Sequence, residues 1–96
     1  CISNCCLYDQ GFQLLMGSSI GINVKIGKNV LINSGVVIEH DSIIGDNVVI
    51  SPGVTICGGV EVKNNSFIGA SATIIQNINI SQNSFIKANS LVSSDV

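Results

Sequence analysis

His40 is the residue best suited to acid–base chemistry, because it is the only histidine in the 96-residue chain. It stands between two carboxylates, Glu39 and Asp41. A carboxylate beside an imidazole can fix its tautomer and raise its basicity, so these residues could form a supported general base. A single surface histidine is more often only solvated. The assignment therefore depends on what else the fold brings to His40.

A pair of glycines, Gly58 and Gly59, follows His40 eighteen and nineteen residues later. Glycine removes side chains where a ligand must approach the backbone closely. A free N–H of Gly58 could then donate to an oxyanion that develops during a reaction. Whether the glycines meet His40 depends on the repeat that organises the chain.

The sequence repeats every six residues from Ile2 onward, with no slip in register. The first position of the hexad is aliphatic in 15 of 16 repeats. These first positions are Ile2, Tyr8, Leu14, Ile20, Ile26, Ile32, Ile38, Ile44, Ile50, Ile56, Val62, Ile68, Ile74, Ile80, Ile86 and Val92. An α-helix would scatter residues of this period over all its faces, so the repeat indicates short strands. The fifth positions are mostly Val or Ser, which suit a narrow interior.

The fourth position of the hexad supplies the corners. Fourteen of the sixteen fourth positions, from Gly11 to Asp95, are Gly, Asn or Asp, which are the residues that tolerate positive φ. Three such corners close a triangular coil of 18 residues. The sequence therefore predicts an all-β protein, a parallel β-helix of a little over five triangular coils. Residues 18 apart stack in such a coil, so Gly58 is predicted to lie directly above His40.

The sixth positions form three outward columns, and one of them is apolar. This column, here called the apolar stripe, reads Gln13, Leu31, Val49, Phe67 and Phe85. An exposed stripe of this kind usually marks an interface, although an unseen tail could also cover it. A trimer built around this face would explain why only 10% of the residues are charged while the mean hydropathy is +0.54.

Composition excludes several classes of function. A net charge of −2 without any arginine leaves no basic patch for nucleic acid. No apolar run reaches the roughly 18 residues of a membrane span, so no membrane insertion is expected. The cysteines, Cys1, Cys5, Cys6 and Cys57, form no CxxC pair, and with one histidine no metal site is expected. Reduced, buried thiols in a cytoplasmic protein are the simplest interpretation.

Four segments resemble the acetyltransferase domain of the sialic-acid and bacillosamine-type sugar acetyltransferases. They are IEHDSIIGDN at 38–47, ISPGV at 50–54, CGGV at 57–60 and FIGASATI at 67–74. The resemblance extends from about Leu14 to Val96. It implies a left-handed β-helix, a cytoplasmic homotrimer with its sites between subunits, acetyl-CoA as co-substrate, and a nucleotide-sugar or sialic-acid-like acceptor.

The resemblance also implies roles for individual residues. His40 would be the general base and Asp41 its partner, although Asp41 also occupies a corner position. Gly58 N–H would polarise the thioester carbonyl, and Val49, Ala70 and Ala88 would line the coenzyme path. Many relatives carry a second histidine where this chain has Val49, which puts coenzyme affinity in doubt. We expect residues 1–96 to be one β-helix domain of a longer protein with an N-terminal nucleotide-sugar-binding domain.

Other functions known on such a fold fit less well. A γ-type carbonic anhydrase needs three histidines around zinc, and this chain has one. Ice-binding solenoids carry regular threonine arrays, whereas here only Thr55 and Thr73 are expected to stack. A non-catalytic, structural β-solenoid remains the alternative to an acetyltransferase.

Overall fold

The computed structural model describes residues 17–96 and the backbone of two earlier strands, residues 7–8 and 13–14. Fifteen two-residue strands follow one another at six-residue intervals. They are β1 (Leu7–Tyr8), β2 (Gln13–Leu14), β3 (Ser19–Ile20), β4 (Lys25–Ile26), β5 (Leu31–Ile32), β6 (Val37–Ile38), β7 (Ile43–Ile44), β8 (Val49–Ile50), β9 (Thr55–Ile56), β10 (Glu61–Val62), β11 (Phe67–Ile68), β12 (Thr73–Ile74), β13 (Asn79–Ile80), β14 (Phe85–Ile86) and β15 (Leu91–Val92). The described residues contain no helix that could cross a membrane.

Every third strand pairs in parallel, which gives three sheets of five strands each. Sheet 1 has the order β1-β4-β7-β10-β13, sheet 2 the order β2-β5-β8-β11-β14, and sheet 3 the order β3-β6-β9-β12-β15. Paired residues are always 18 apart, as in Val49 with Phe67 and Thr55 with Thr73. The predicted parallel β-helix is confirmed, and so are its three outward columns from Ser19 onward.

The interior is filled by the first and fifth positions of the hexads. Each strand from β3 to β15 places its sixth-position residue outward and its first-position residue inward, so Ile38, Ile44 and Ile56 are almost completely buried. β-Branched side chains stack well in such a ladder, because they pack against identical neighbours one strand spacing away. Replacing one of these fully buried isoleucines by alanine would cost about 2–5 kcal/mol of folding free energy.

Interior serines replace valine at some fifth positions and are fully hydrogen-bonded. Ser18, Ser42 and Ser66 are 3%, 0% and 2% exposed. Each hydroxyl donates to a backbone carbonyl of the next coil and accepts from a backbone N–H 18 residues on. Buried hydroxyls are tolerated only with such partners, so these serines connect adjacent coils.

The corners have the predicted conformation. All fourth positions from Gly17 to Asn89 adopt positive φ, including the aspartate Asp41 at 62°. Ser71 does so too, at 61°, although its residue type did not predict it. Asp95 does not, so its assignment as a corner was wrong; its carboxylate instead accepts from the Asn79 N–H at 2.8 Å. Cys5 and Gly11 lie outside the described residues.

Ser71→Asn should stabilise the protein by about 0.5–1 kcal/mol, because asparagine tolerates the left-handed conformation that costs most other residues about 1–2 kcal/mol. An asparagine side chain already occupies the equivalent position at another corner. Ser71 stacks on Gly53, and at the equivalent pair Asn77 and Gly59 the asparagine carbonyl oxygen fills the space that a Cβ of Gly59 would occupy. Chemical denaturation measures the effect, with Ser71→Val as the destabilised control. A lower midpoint for Ser71→Asn than for wild type would contradict this account of the corner.

Candidate active site

His40 and Asp41 lie together at the corner between β6 and β7. The hexad places His40 at the third position and Asp41 at the fourth, where the chain turns from sheet 3 to sheet 1. Both side chains face outward, and they are 65% and 58% exposed. The prediction that His40 points to solvent is confirmed.

Asp41, and not Glu39, is the carboxylate that contacts the imidazole. His40 Nδ1 lies 2.9 Å from Asp41 Oδ2. This hydrogen bond is the main reason that the pKa of Asp41 lies below its ordinary value; partial burial opposes the shift, and a hydrogen bond from Asn23 adds to it. Glu39 is exposed and forms no ion pair with His40 in the described part of the chain.

The contact with Asp41 assigns a tautomer to His40. An ionised carboxylate only accepts, so Nδ1 must carry the proton that it donates. Nε2 of a neutral ring then keeps its lone pair, and this nitrogen can accept a proton from another molecule. The contact thus defines Nε2 as the ring nitrogen that is free to accept a proton.

Gly58 lies directly above the imidazole, as predicted from the 18-residue coil. The two coils are joined here by a hydrogen bond from Gly59 N to the His40 carbonyl oxygen, 3.0 Å long. A Cβ at Gly58 would stand 2.7 Å from Cε1 and 2.8 Å from Nε2 of His40. The sequence suggested that glycine keeps this space open for a ligand, but the imidazole itself occupies it. Gly58 is therefore needed for His40 to lie flat against the next coil.

The N–H of Gly58 remains available. Among the described residues it donates to no acceptor, whereas the neighbouring Gly59 N–H is paired with His40. Gly58 lines an open groove of about 390 Å³, here called the His40 groove. Its other lining residues are His40, Asp41, Cys57, Gly59, Gln76 and Asn77. A proton acceptor and a free backbone donor thus face the same space.

Cys57 lines this groove as a free, half-buried thiol. The sequence suggested buried thiols, and for Cys57 that was wrong, because the second position of its hexad lies beside the corner and is partly open to solvent. Cys1, Cys5 and Cys6 lie outside the described residues. Among those that are described, no three His, Cys, Asp or Glu side chains are grouped to hold a metal ion.

One chain does not bring Val49, Ala70 and Ala88 to the His40 groove. Ala70 and Ala88 stack at the corner between sheets 2 and 3, whereas His40 lies at the corner between sheets 3 and 1. Val49 lies half-buried on the outer face of sheet 2. The full width of sheet 3 separates the two corners, so these three residues and His40 lie in two separate regions of one chain.

Comparison with known proteins assigns the family. The pattern of the bacterial transferase hexapeptide (six repeats) matches residues 23–58 and 41–76, which together span 23–76, more than half of the 96 residues. The chain belongs to this hexapeptide transferase family. Among curated proteins, none matches it in sequence.

Solved structures match this hexapeptide transferase over 99% of its length. PerB from Caulobacter crescentus, in complex with CoA and GDP-perosamine, is 27% identical with a TM-score of 0.98. The acetyltransferase domain of PglB from Neisseria gonorrhoeae FA1090, in complex with acetyl coenzyme A, is 22% identical with a TM-score of 0.96. The match covers 46% of each of those chains. A TM-score of 0.98 requires the same hand of coil, which confirms the left-handed β-helix.

Two residues at the site of this hexapeptide transferase escaped the sequence reasoning. Asn23 contributes to the lowered pKa of Asp41, and Ser42 joins the coil of His40 to that of Gly58. Asn23 lies at a fourth position 18 residues before Asp41, so the coil rule could have placed the pair together. The bonds of Ser42 depend on the direction of an interior hydroxyl, which spacing alone does not give.

Proposed function

We propose that the protein is an acetyl-CoA-dependent acetyltransferase that modifies an amino or hydroxyl group of a nucleotide-activated sugar. The observation that carries the proposal is the stack of His40 beneath Gly58. It places an acceptor of protons, Nε2, and a free backbone N–H in one groove, and these are the two groups that acyl transfer requires.

The chemistry follows from those two groups. His40 Nε2 takes the proton of the acceptor amine or hydroxyl as its N or O forms a bond to the thioester carbonyl carbon. The carbonyl oxygen becomes negative, and Gly58 N–H stabilises that charge. The C–S bond then breaks, and the proton held by His40 passes to the departing thiolate of CoA. Asp41 holds Nδ1 throughout, so the ring presents the correct nitrogen.

The comparisons support a sugar as the acceptor. PerB is bound to CoA and GDP-perosamine, and a second structure of the same kind, 26% identical with a TM-score of 0.98, is a mutant of GDP-perosamine N-acetyl transferase from Caulobacter crescentus. Because that neighbour is an N-acetyltransferase, an amino group is favoured over a hydroxyl as the acceptor for this chain. Membership of the sialic-acid and bacillosamine-type subfamily is part of the proposal, as are the cytoplasmic location and the nucleotide-sugar-binding domain beyond residues 1–96.

A homotrimer would bring His40 of one chain close to the Ala70–Ala88 corner of another. Coenzyme that touches both His40 and the Ala70–Ala88 corner must lie between two copies of the chain. The apolar stripe offers the surface for such contact, since Phe67 and Phe85 stack in parallel at 5.1 Å and are 37% and 68% exposed. Leu31 and Val49 extend the stripe along sheet 2. Burying it would remove the largest exposed aromatic surface of the described residues from water.

His40→Ala should lower kcat by about 10²–10⁴-fold, the range by which a positioned base accelerates proton transfer. The fold should be unaffected, because the side chain is exposed. Steady-state turnover with acetyl-CoA and an amino-sugar nucleotide measures the effect. Ser34→Ala is the matched control, since Ser34 is an exposed third-position residue of the preceding corner.

The same samples separate an enzyme from a structural solenoid. A ligand that binds only the folded state raises Tm, so acetyl-CoA should stabilise both wild type and His40→Ala. Retention of more than a tenth of the wild-type rate by His40→Ala would exclude His40 as the base. A wild-type protein with neither turnover nor a thermal shift would instead be a non-catalytic solenoid.

Asp41→Asn should lower the maximal rate, because asparagine carries no negative charge to stabilise the imidazolium that forms when His40 takes the proton. The lowered pKa of Asp41 means that its carboxylate stays ionised down to acidic pH and is protonated only as pH falls through that pKa. The difference in rate between wild type and Asp41→Asn should therefore be full above the pKa of Asp41 and shrink as pH falls through it, which a pH–rate profile of both proteins measures. Asparagine tolerates the corner, where φ is 62°.

Asp46→Asn is the matched control for Asp41→Asn, because it changes the net charge equally at the neighbouring corner. Its profile should coincide with that of wild type. A profile for Asp41→Asn that also coincides with wild type would show that Asp41 serves only the backbone turn.

A further inference from the structure

Ser42 connects the coil of His40 to the backbone on both sides of the glycine pair. Its side chain is completely buried. The hydroxyl donates to the Cys57 carbonyl oxygen at 3.0 Å and accepts from the Val60 N–H at 3.3 Å. These two residues flank Gly58 and Gly59, so one side chain holds the segment that forms the ceiling of the His40 groove.

The bond to Cys57 determines where the Gly58 N–H points. The carbonyl of Cys57 and the N–H of Gly58 belong to one peptide unit, which is planar and trans, since the described chain has no cis peptide bonds. In a trans peptide these two bonds point in opposite directions. Because Ser42 holds the carbonyl towards the interior, the N–H is directed outward into the His40 groove.

Among the described residues, no other contact fixes the orientation of the peptide between Cys57 and Gly58. The Cys57 carbonyl has no partner there besides Ser42. Gly59 N bonds to the His40 carbonyl at 3.0 Å and Asn77 N bonds to the Gly58 carbonyl at 3.0 Å, but both bonds belong to the following peptide unit. Glycine permits a wide range of backbone angles, so the peptide between Cys57 and Gly58 could rotate without Ser42.

We propose that Ser42 is a positioning residue for acetyl transfer, which orients the Gly58 N–H towards the oxygen of the thioester. The proposal rests on the acetyltransferase function given above. A donor contributes most to catalysis when it is fixed before the charge develops, because no reorganisation is then needed during the reaction. A carbonyl that accepts a hydrogen bond also polarises its own peptide unit and strengthens the N–H as a donor.

Ser66 provides a structural counterpart without the catalytic setting. Its hydroxyl, 2% exposed, donates to the Ser81 carbonyl at 3.0 Å and accepts from the Ser84 N–H at 3.3 Å. The Ser81 carbonyl also accepts from the Ser84 hydroxyl at 2.7 Å. Its peptide unit carries the N–H of Gln82, and the residue stacked beneath Gln82 is Asn64. The same two bonds are thus made at a corner that has no histidine.

The experiment compares Ser42→Thr with Ser42→Val in the full-length protein. Threonine and valine have the same shape, but only threonine keeps the hydroxyl. Both fit the column, because the fifth positions directly below and above are Val24 and Val60. Ser42→Val should lower kcat at least about tenfold with little change in the KM for acetyl-CoA, because a missing oxyanion donor costs about 10²–10³ in kcat. Ser42→Thr should keep most of the wild-type kcat.

Ser66→Thr and Ser66→Val are the controls, and both should leave kcat unchanged whatever they do to Tm. If valine prevents folding at position 42, Ser42→Ala and Ser66→Ala form a second matched pair. Of these two variants, only Ser42→Ala should then show a lowered kcat. Equal kcat values for Ser42→Thr and Ser42→Val, in a protein whose wild type transfers acetyl groups, would overturn the role of Ser42 but not the function. A wild type that neither binds acetyl-CoA nor transfers its acetyl group would overturn both.

Discussion

The structure depends on one constraint, which is that the chain must return directly over itself every 18 residues. Each corner must turn through the same angle in one hexad, so positive φ is required at a fixed position, and the interior must accept the same side-chain shape at each level. Once both conditions hold, parallel strands pair in unbroken register, as in β5 with β8 and β8 with β11. Residue i then lies under residue i+18. This rule places Gly58 over His40 and Asn23 under Asp41.

The rule explains why so much of the fold follows from the sequence. Aliphatic first positions, small or β-branched fifth positions and Gly or Asn corners each carry a period of six, and together they determine the strands, the sheets and the stacking columns. The exceptions occur where a neighbouring coil controls the backbone. Ser71 is held in a left-handed conformation by the levels on either side, although serine does not favour it. Asp95 does not adopt this conformation, and its carboxylate accepts a hydrogen bond from the backbone of Asn79 in the preceding coil.

The candidate site could be predicted only in part, because spacing gives the stacking and the inward or outward side of each residue, but not which atoms its side chain contacts. The two flanking carboxylates alone do not separate Glu39 from Asp41 as the partner of His40; the resemblance predicted Asp41, and the ring orientation places Asp41 in contact. The sequence correctly placed Gly58 above His40, but it did not show why a glycine is needed there. The space that a side chain would fill is occupied by the imidazole of His40. The sequence also does not show that an interior side chain can orient a backbone group on the outer surface. A buried hydroxyl at Ser42 determines the direction of an N–H on the outer surface through a shared peptide plane.

The central claim is that the stack of His40 and Gly58 receives the thioester, with the coenzyme reaching it across a subunit boundary. A crystal structure of the full-length protein with an unreactive acetyl-CoA analogue tests this most directly. The account predicts the analogue's carbonyl oxygen about 2.7–3.1 Å from the Gly58 nitrogen of one subunit. It also predicts that the remainder of the coenzyme contacts Ala70 and Ala88 of a neighbouring copy. A bound analogue whose carbonyl points away from Gly58, or which contacts one chain alone, would contradict the account.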